Sequence, residues 1–293
     1  MTGVVNAVAV VVAITLSLTA VASFAGASRA QAPPVVPGGG HHRVACLLAH
    51  LDTACLELAA PERLIAVSAF DHGAASHRLG DRPRLSGLDA LEAIIDLRPD
   101  AVLVSPFDAA DARAERLREA GIAVIDCGEA RGVVTLIPAI HRLGEVFAVP
   151  DRAQALARAW RRRFALVAAR VPAIGRRGGI YLAVYGDRLF GGTVGTSYHD
   201  VLTAAGVPDL AATRWRDWPE YTVEDLIALD PPLIVTKRGM GDVLRRLPGM
   251  AGVAACTAAD GIVELDSALL DDAGIGMLDA AETLCDAVHP AGR

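Results

Sequence analysis

The side chains best suited to chemistry stand just beyond short apolar runs. His50 and Leu51 follow "RVACLLA", Phe70, Asp71 and His72 close "RLIAVSAF" and its continuation, and Pro106 and Phe107 close "DAVLVSPF". Tyr185 to Phe190, Tyr198 with His199, "RWRDWPEY" from Arg214 to Tyr221, and Lys237 with Arg238 are placed in the same way farther along the chain. Aromatic residues make up only 4% of the chain, yet Trp215, Trp218 and Tyr221 fall within seven residues. Ring faces give much contact area at low entropic cost, so such a cluster suits a flat or large organic ligand. Its other use is to cover the edge of a lobe as core. Arg188, Arg214, Arg216, Lys237 and Arg238 bring cations to these loops in a chain of net charge −6, a pattern that suits an anionic ligand, while solvated surface is the stronger reading for any single one of them.

His50, His72, His77 and His199 supply imidazoles, which suit transition metals and metal macrocycles. A bare ion needs three or four donors at one point, and of these four only His50 and His72 lie on strand-following loops. A metal already enclosed in an organic ligand therefore fits better than a free ion held by the protein. The expected ligand-binding set is His50, Phe70, His72, Phe107, Tyr185, Arg188, Tyr198, Trp215, Trp218, Tyr221, Lys237 and Arg238. No catalytic set and no protein metal site is expected. "GGTVGTS" lacks the lysine of a phosphate-binding loop, no GxGxxG follows the first strand, and no GxSxG elbow occurs. The acidic balance excludes nucleic acid as a partner, since no basic face is available to displace counterions from phosphates.

These loops need elements to hold them. β-type runs ending at Ala49, Phe70, Phe107 and Cys127 alternate with helical patterns, one of them from Thr53 with Asp52 as its N-cap. Runs ending at Gly186, Gly239 and Ser267 do the same in the second half, with helices around 196–205, 223–229 and 276–288. The fold class is α/β: two lobes, each a mainly parallel sheet flanked by helices. Between them, Leu156, Trp160, Phe164, Val167 and Val171 recur every three or four residues from Asp151 to Val171, between Pro150 and Pro172. One long backbone helix between the lobes is a strut, and a monomer with limited closing motion follows. The lobes are expected over 43–149 and 175–293, with the helix at 150–174.

Residues 1–27 read as a signal peptide. Val4 to Ala22 carries no charge, and Ala25-Gly26-Ala27 offers a small-x-small cleavage site before Ser28. A retained N-terminal membrane anchor is the alternative. Residues 28–42 form a Pro- and Gly-rich leader. Cys46, Cys55, Cys127, Cys256 and Cys285 include no CxxC pair and lie mostly in apolar runs, as buried small hydrophobes, with a Cys46–Cys55 bridge left open.

One block is spoken twice: "LEAIIDLRPDAVLV" at Leu91–Val104 and "VEDLIALDPPLIV" at Val223–Val235. With "GTSYHDVLTAAGV" and "DGIVELDSALLDDAGIGMLDAAE", it makes the chain resemble the periplasmic substrate-binding proteins of ABC importers that have a rigid helical backbone and carry ferric siderophores, haem or cobalamin. The sequence departs from that pattern at Pro232, where the family usually has Asp, and in the loosely matching "CLLAHLDTACLEL". The resemblance implies a ligand, a metal chelate, held between the lobes, and no intrinsic cofactor. It implies delivery to an ABC permease dimer with its ATPase, with Glu92 and Glu224 pairing with arginines on the two membrane subunits. A divalent-metal binder of the same fold, an α/β enzyme, and a scaffold or sensor that has lost its ligand are the alternatives.

Overall fold

The computed structural model describes residues 40–70, 77–171 and 176–290. The signal peptide, the cleavage site, most of the leader, and Asp71 and His72 lie outside the described residues. The first lobe is built on β1 (Val44–Cys46), β2 (Leu64–Ser68), β3 (Arg84–Leu85), β4 (Ala101–Val104) and β5 (Ala123–Asp126). They form one parallel sheet in the order β3-β2-β1-β4-β5. Every residue of β1 and β4 is buried, as expected for central strands of a sheet covered on both faces.

The second lobe holds β6 (Gly179–Tyr185), β7 (Arg188–Gly192), β8 (Glu220–Tyr221), β9 (Leu233–Lys237) and β10 (Ile262–Leu265), in the order β10-β9-β6-β7-β8. Its β6–β9 and β9–β10 pairings are parallel. The β6–β7 and β7–β8 pairings are antiparallel, and neither β7 nor β8 is announced by an apolar run. β7 follows β6 across the two-residue turn Gly186–Asp187, with Gly186 at φ +66°, and its five residues, which include Arg188 and two glycines, pair into the sheet without forming an apolar run.

The expected strut is the helix Pro150–Ala169, opened by Pro150. It buries Ala153, Ala157, Trp160 and Val167, while Leu156, Phe164 and Val171 pack partly buried against the same core. Trp160 stacks on Phe164 with ring centroids 4.8 Å apart, and its indole Nε1 donates to the Ile275 carbonyl of the second lobe at 2.8 Å. One continuous apolar cluster runs from β1 through this helix into the closing helix Met277–Val288, so the strut is glued to both lobes.

Candidate functional site

Asp52 is not an N-cap. The first helix starts earlier, at Ala49, and Asp52 is fully buried within it, its Oδ2 accepting the Ser68 backbone N–H at 3.1 Å. This ties the helix to the end of β2, and it sets His50 at the sheet edge where the strands end. His50 is mostly buried, its Nε2 has no hydrogen-bond partner among the described residues, and burial lowers its pKa to about 4. The imidazole is therefore neutral at ordinary pH.

Strand ends and the segments beside them carry four exposed aromatic residues: Phe70 after β2, Phe107 after β4, Tyr185 as the last residue of β6, and Trp218 in the segment leading into β8. Two come from each lobe. Among the described residues they are the aromatics with large exposed surface, which singles them out because a solvated Phe or Trp gains nothing from water.

The second lobe adds a polar chain. Lys237, at the end of β9, binds the Asp271 Oδ2 at 2.8 Å and donates to the Tyr185 hydroxyl at 3.2 Å. Tyr198 donates to the Asp271 Oδ1 at 3.1 Å and stacks on Tyr181 with centroids 3.7 Å apart. Burial is the largest single effect on Lys237 and pulls its pKa down, but Asp271, Tyr181 and Tyr185 together outweigh it and leave the ammonium held above its usual range. Burial likewise raises both Tyr181 and Tyr198. This cluster is one fixed cation with a ring of phenols.

The same lobe separates the clustered aromatics. Trp218 is 48% exposed and Tyr221 only 3%. Tyr221 is a core residue, not a surface contact: within β8 it pairs with Leu189 of β7, and its ring lies against Gly191, where any Cβ would collide with it. Trp215 is half-buried, edge-on to Tyr221 at 5.2 Å, with Arg214 over its other side at 4.6 Å. Arg188 pairs with Glu220 at 2.7 Å and covers the Phe190 ring. Arg216 and Arg238 are exposed. His199 is engaged by Asp209 at 2.8 Å.

Two contacts join the lobes near these loops, and neither is readable from local pattern. Arg131, after β5, forms an ion pair with Asp217 and lies over Trp218. Next to it, the Val133 N–H donates to the Asp200 Oδ2 at 2.7 Å. Burial raises the Asp200 pKa, and the Val133 hydrogen bond opposes the rise. Gly274 meets the His50 carbonyl from the other side. Arg131 follows β5 and Asp271 ends the short helix Ser267–Leu270 that follows β10, so position after a strand end is a signal for both residues but not for their partners. Among the described residues no three His, Cys, Asp or Glu side chains converge as a metal cluster. All five cysteines are buried and free. No helix among the described residues is long and apolar enough to cross a membrane.

Glu92 and Glu224 occupy the second position of the helices Leu91–Leu97 and Val223–Leu229, and both are exposed. Capping does not consume Glu224: Thr222 and Asp225 cap that helix reciprocally, through bonds of 3.0 and 3.1 Å. Both helices end in a left-handed residue, Arg98 and Asp230, followed by proline and a buried strand.

Two sheets of mainly parallel strands on one rigid helix define a two-lobed binding-protein fold. The same fold occurs in the periplasmic haem-binding protein HutB of Vibrio cholerae, at a TM-score of 0.74 and 19% identity, covering 85% of this chain and 99% of that one. It also occurs in the periplasmic vitamin B12-binding protein BtuF of Vibrio cholerae, at 0.67 and 18%, covering 85% and 97%. In sequence, the vitamin B12-binding protein of Salmonella choleraesuis is 23% identical over 198 residues, 68% of this chain and 72% of that protein. The family described as periplasmic binding protein matches residues 78–267, and the chain belongs to that family.

Proposed function

We propose that this chain is the exported solute-binding component of an ABC importer that captures a metal chelate between its lobes: a ferric siderophore, haem or a corrinoid. The observation that carries the reading is the placement of Phe70, Phe107, Tyr185 and Trp218, two exposed rings per lobe at or beside strand ends. Exposed rings contributed by both lobes suit a planar or bulky organic ligand, for which they supply contact area with little side-chain entropy lost. Lys237, anchored by Asp271, adds a fixed cation for an anionic group. The neutral, unpartnered Nε2 of His50 adds a donor of the kind that metal macrocycles accept. Similar proteins named for haem and vitamin B12 support the same ligand class.

Delivery runs through the permease and ATPase of the importer, with Glu92 and Glu224 as the docking charges, one per lobe. Two exposed charge pairs are individually weak, but on one rigid body they act at high effective concentration. Export by the N-terminal segment places the capture step in the periplasm. The experiment is to purify the mature protein from its own cells and record its absorption spectrum, then titrate the stripped protein with haemin, cyanocobalamin and a ferric hydroxamate. Saturable binding of one of the three supports the reading. Binding of none, alongside tight binding of zinc or manganese ions, replaces it with the bare-metal alternative.

A further inference from the structure

The two copies of the repeated block share more than their glutamates. Aligned on Glu92 and Glu224, the next outward position one helical turn on is Ile95 in the first lobe and Ile227 in the second. Both are exposed, at 38% and 43%, although a helix of this kind needs to bury only one stripe. That stripe is filled by Ile94 in one helix and Leu226 in the other, each fully buried. Spacing of three residues puts Glu92 beside Ile95, and Glu224 beside Ile227, on the outward side of each helix.

Topology gives both pairs the same address. The helix Leu91–Leu97 joins β3 to β4, and Val223–Leu229 joins β8 to β9. Within each lobe the two joined strands run the same way. A helix between two such strands starts at the edge of the sheet where strands end. Each lobe thus displays a carboxylate with an isoleucine on the helix that starts at the strand-end edge of its own sheet. Neither carboxylate has an ion-pair or hydrogen-bond partner among the described residues.

We infer that Ile95 and Ile227 are the apolar half of a two-pronged docking surface, and that its occupant is a membrane permease pair presenting a cationic side chain beside an apolar patch twice over. The inference rests on the docking role proposed for Glu92 and Glu224. A single exposed isoleucine is ordinary; the same one beside the same unpaired glutamate on both lobes matches a partner with two equivalent surfaces. The carboxylates steer and orient, and salt weakens them. Burial of the two isoleucines supplies the part of the affinity that salt does not screen.

The test uses right-side-out membrane vesicles from the producing cells and the full mature chain carrying a fluorescent label, with binding measured at low and at high salt. The variants are Ile95→Ser, Ile227→Ser, Ile95→Leu, Ile227→Leu and Glu92→Gln with Glu224→Gln. Each serine variant should weaken docking about five- to tenfold at both salt concentrations, with the leucine variants near the parent. The double glutamine variant should lose affinity at low salt and differ little from the parent at high salt. Serine variants that dock like the parent while the glutamine variant fails overturn the inference and leave the docking glutamates standing. A parent chain that binds no vesicle saturably, or a glutamine variant that docks normally at low salt, overturns the docking reading and the inference with it. Unchanged melting temperatures and unchanged ligand affinity in the serine variants keep a folding defect from passing as a docking one.

Discussion

Arg131 of the first lobe lies over the ring of Trp218 in the second, its guanidinium carbon 5.1 Å from the ring centroid. The same arginine pairs with Asp217 and Glu129, so Trp218, the exposed tryptophan among the described residues, is held from the opposite lobe. A cation over an exposed ring contributes about 0.5–1 kcal/mol. Trp218 is thus oriented by the lobe-to-lobe contact and still presents much of its surface.

Trp218→Ala is expected to weaken ligand binding by about 1–4 kcal/mol, as for an aromatic anchor, with little change in melting temperature. Trp215→Ala should do the reverse. Its ring is half-buried against Tyr221, and removing it should lower unfolding free energy by about 2–4 kcal/mol. Isothermal titration and urea unfolding on both variants check the pair; equal affinities for parent and Trp218→Ala remove that ring from the site.

Gly132→Ala should break the lobe-to-lobe contact between Val133 and Asp200. Gly132 has φ +95°, and a Cβ there would overlap the Asp200 carboxylate and lie 3.1 Å from the Ser197 Cα. Gly186 has φ +66° with open space around it, so Gly186→Ala meets only backbone strain, about 1–2 kcal/mol. Urea unfolding should show a larger loss for Gly132→Ala than for Gly186→Ala. Small-angle scattering should show an expanded radius for the first alone.

His50 sets an acid limit on stability. Its pKa in the fold is about 4 against an ordinary 6.5, so the unfolded chain takes up the proton first as pH falls. The contribution is complete above pH 6.5, declines as pH drops from 6.5 towards 4, and levels off below. Over that window it is worth on the order of 2–3 kcal/mol. His50→Gln should flatten the slope of unfolding free energy between pH 7 and 4.5; a slope identical to the parent's assigns the acid sensitivity to other groups.

Changing both Glu92 and Glu224 to Arg should abolish import and docking while ligand affinity in solution stays within error. Both side chains are exposed and neither caps its helix through a side-chain bond, so about 0.3–1 kcal/mol of stability is all that the helix ends stand to lose. Uptake in whole cells, set beside titration of the purified variant, separates the two effects. Normal uptake by the double variant makes the repeat a matter of architecture.

What the sequence alone determined was set by local spacing. The helix 223–229 is read from apolar positions and stops, and it forms over Val223–Leu229; the strut starts at its proline and follows its own stripe. The buried runs that became β4, β6 and β9 were legible because a strand covered on both faces must be apolar throughout. Tertiary structure decided whatever depends on residues far apart in the chain. The hairpin strand β7 and the edge strand β8 exist by pairing with β6 and with each other, and their own residues carry no clear period. That pairing turns Tyr221 inward onto Gly191 and leaves Trp218 outward under Arg131, so three aromatics adjacent in sequence receive different surroundings. Asp52 reads as a helix cap from its neighbours alone, yet lies buried inside the helix with the backbone of Ser68 as its partner. A side chain's type limits the bonds it can make, but which bond it makes depends on the group that folding brings to it.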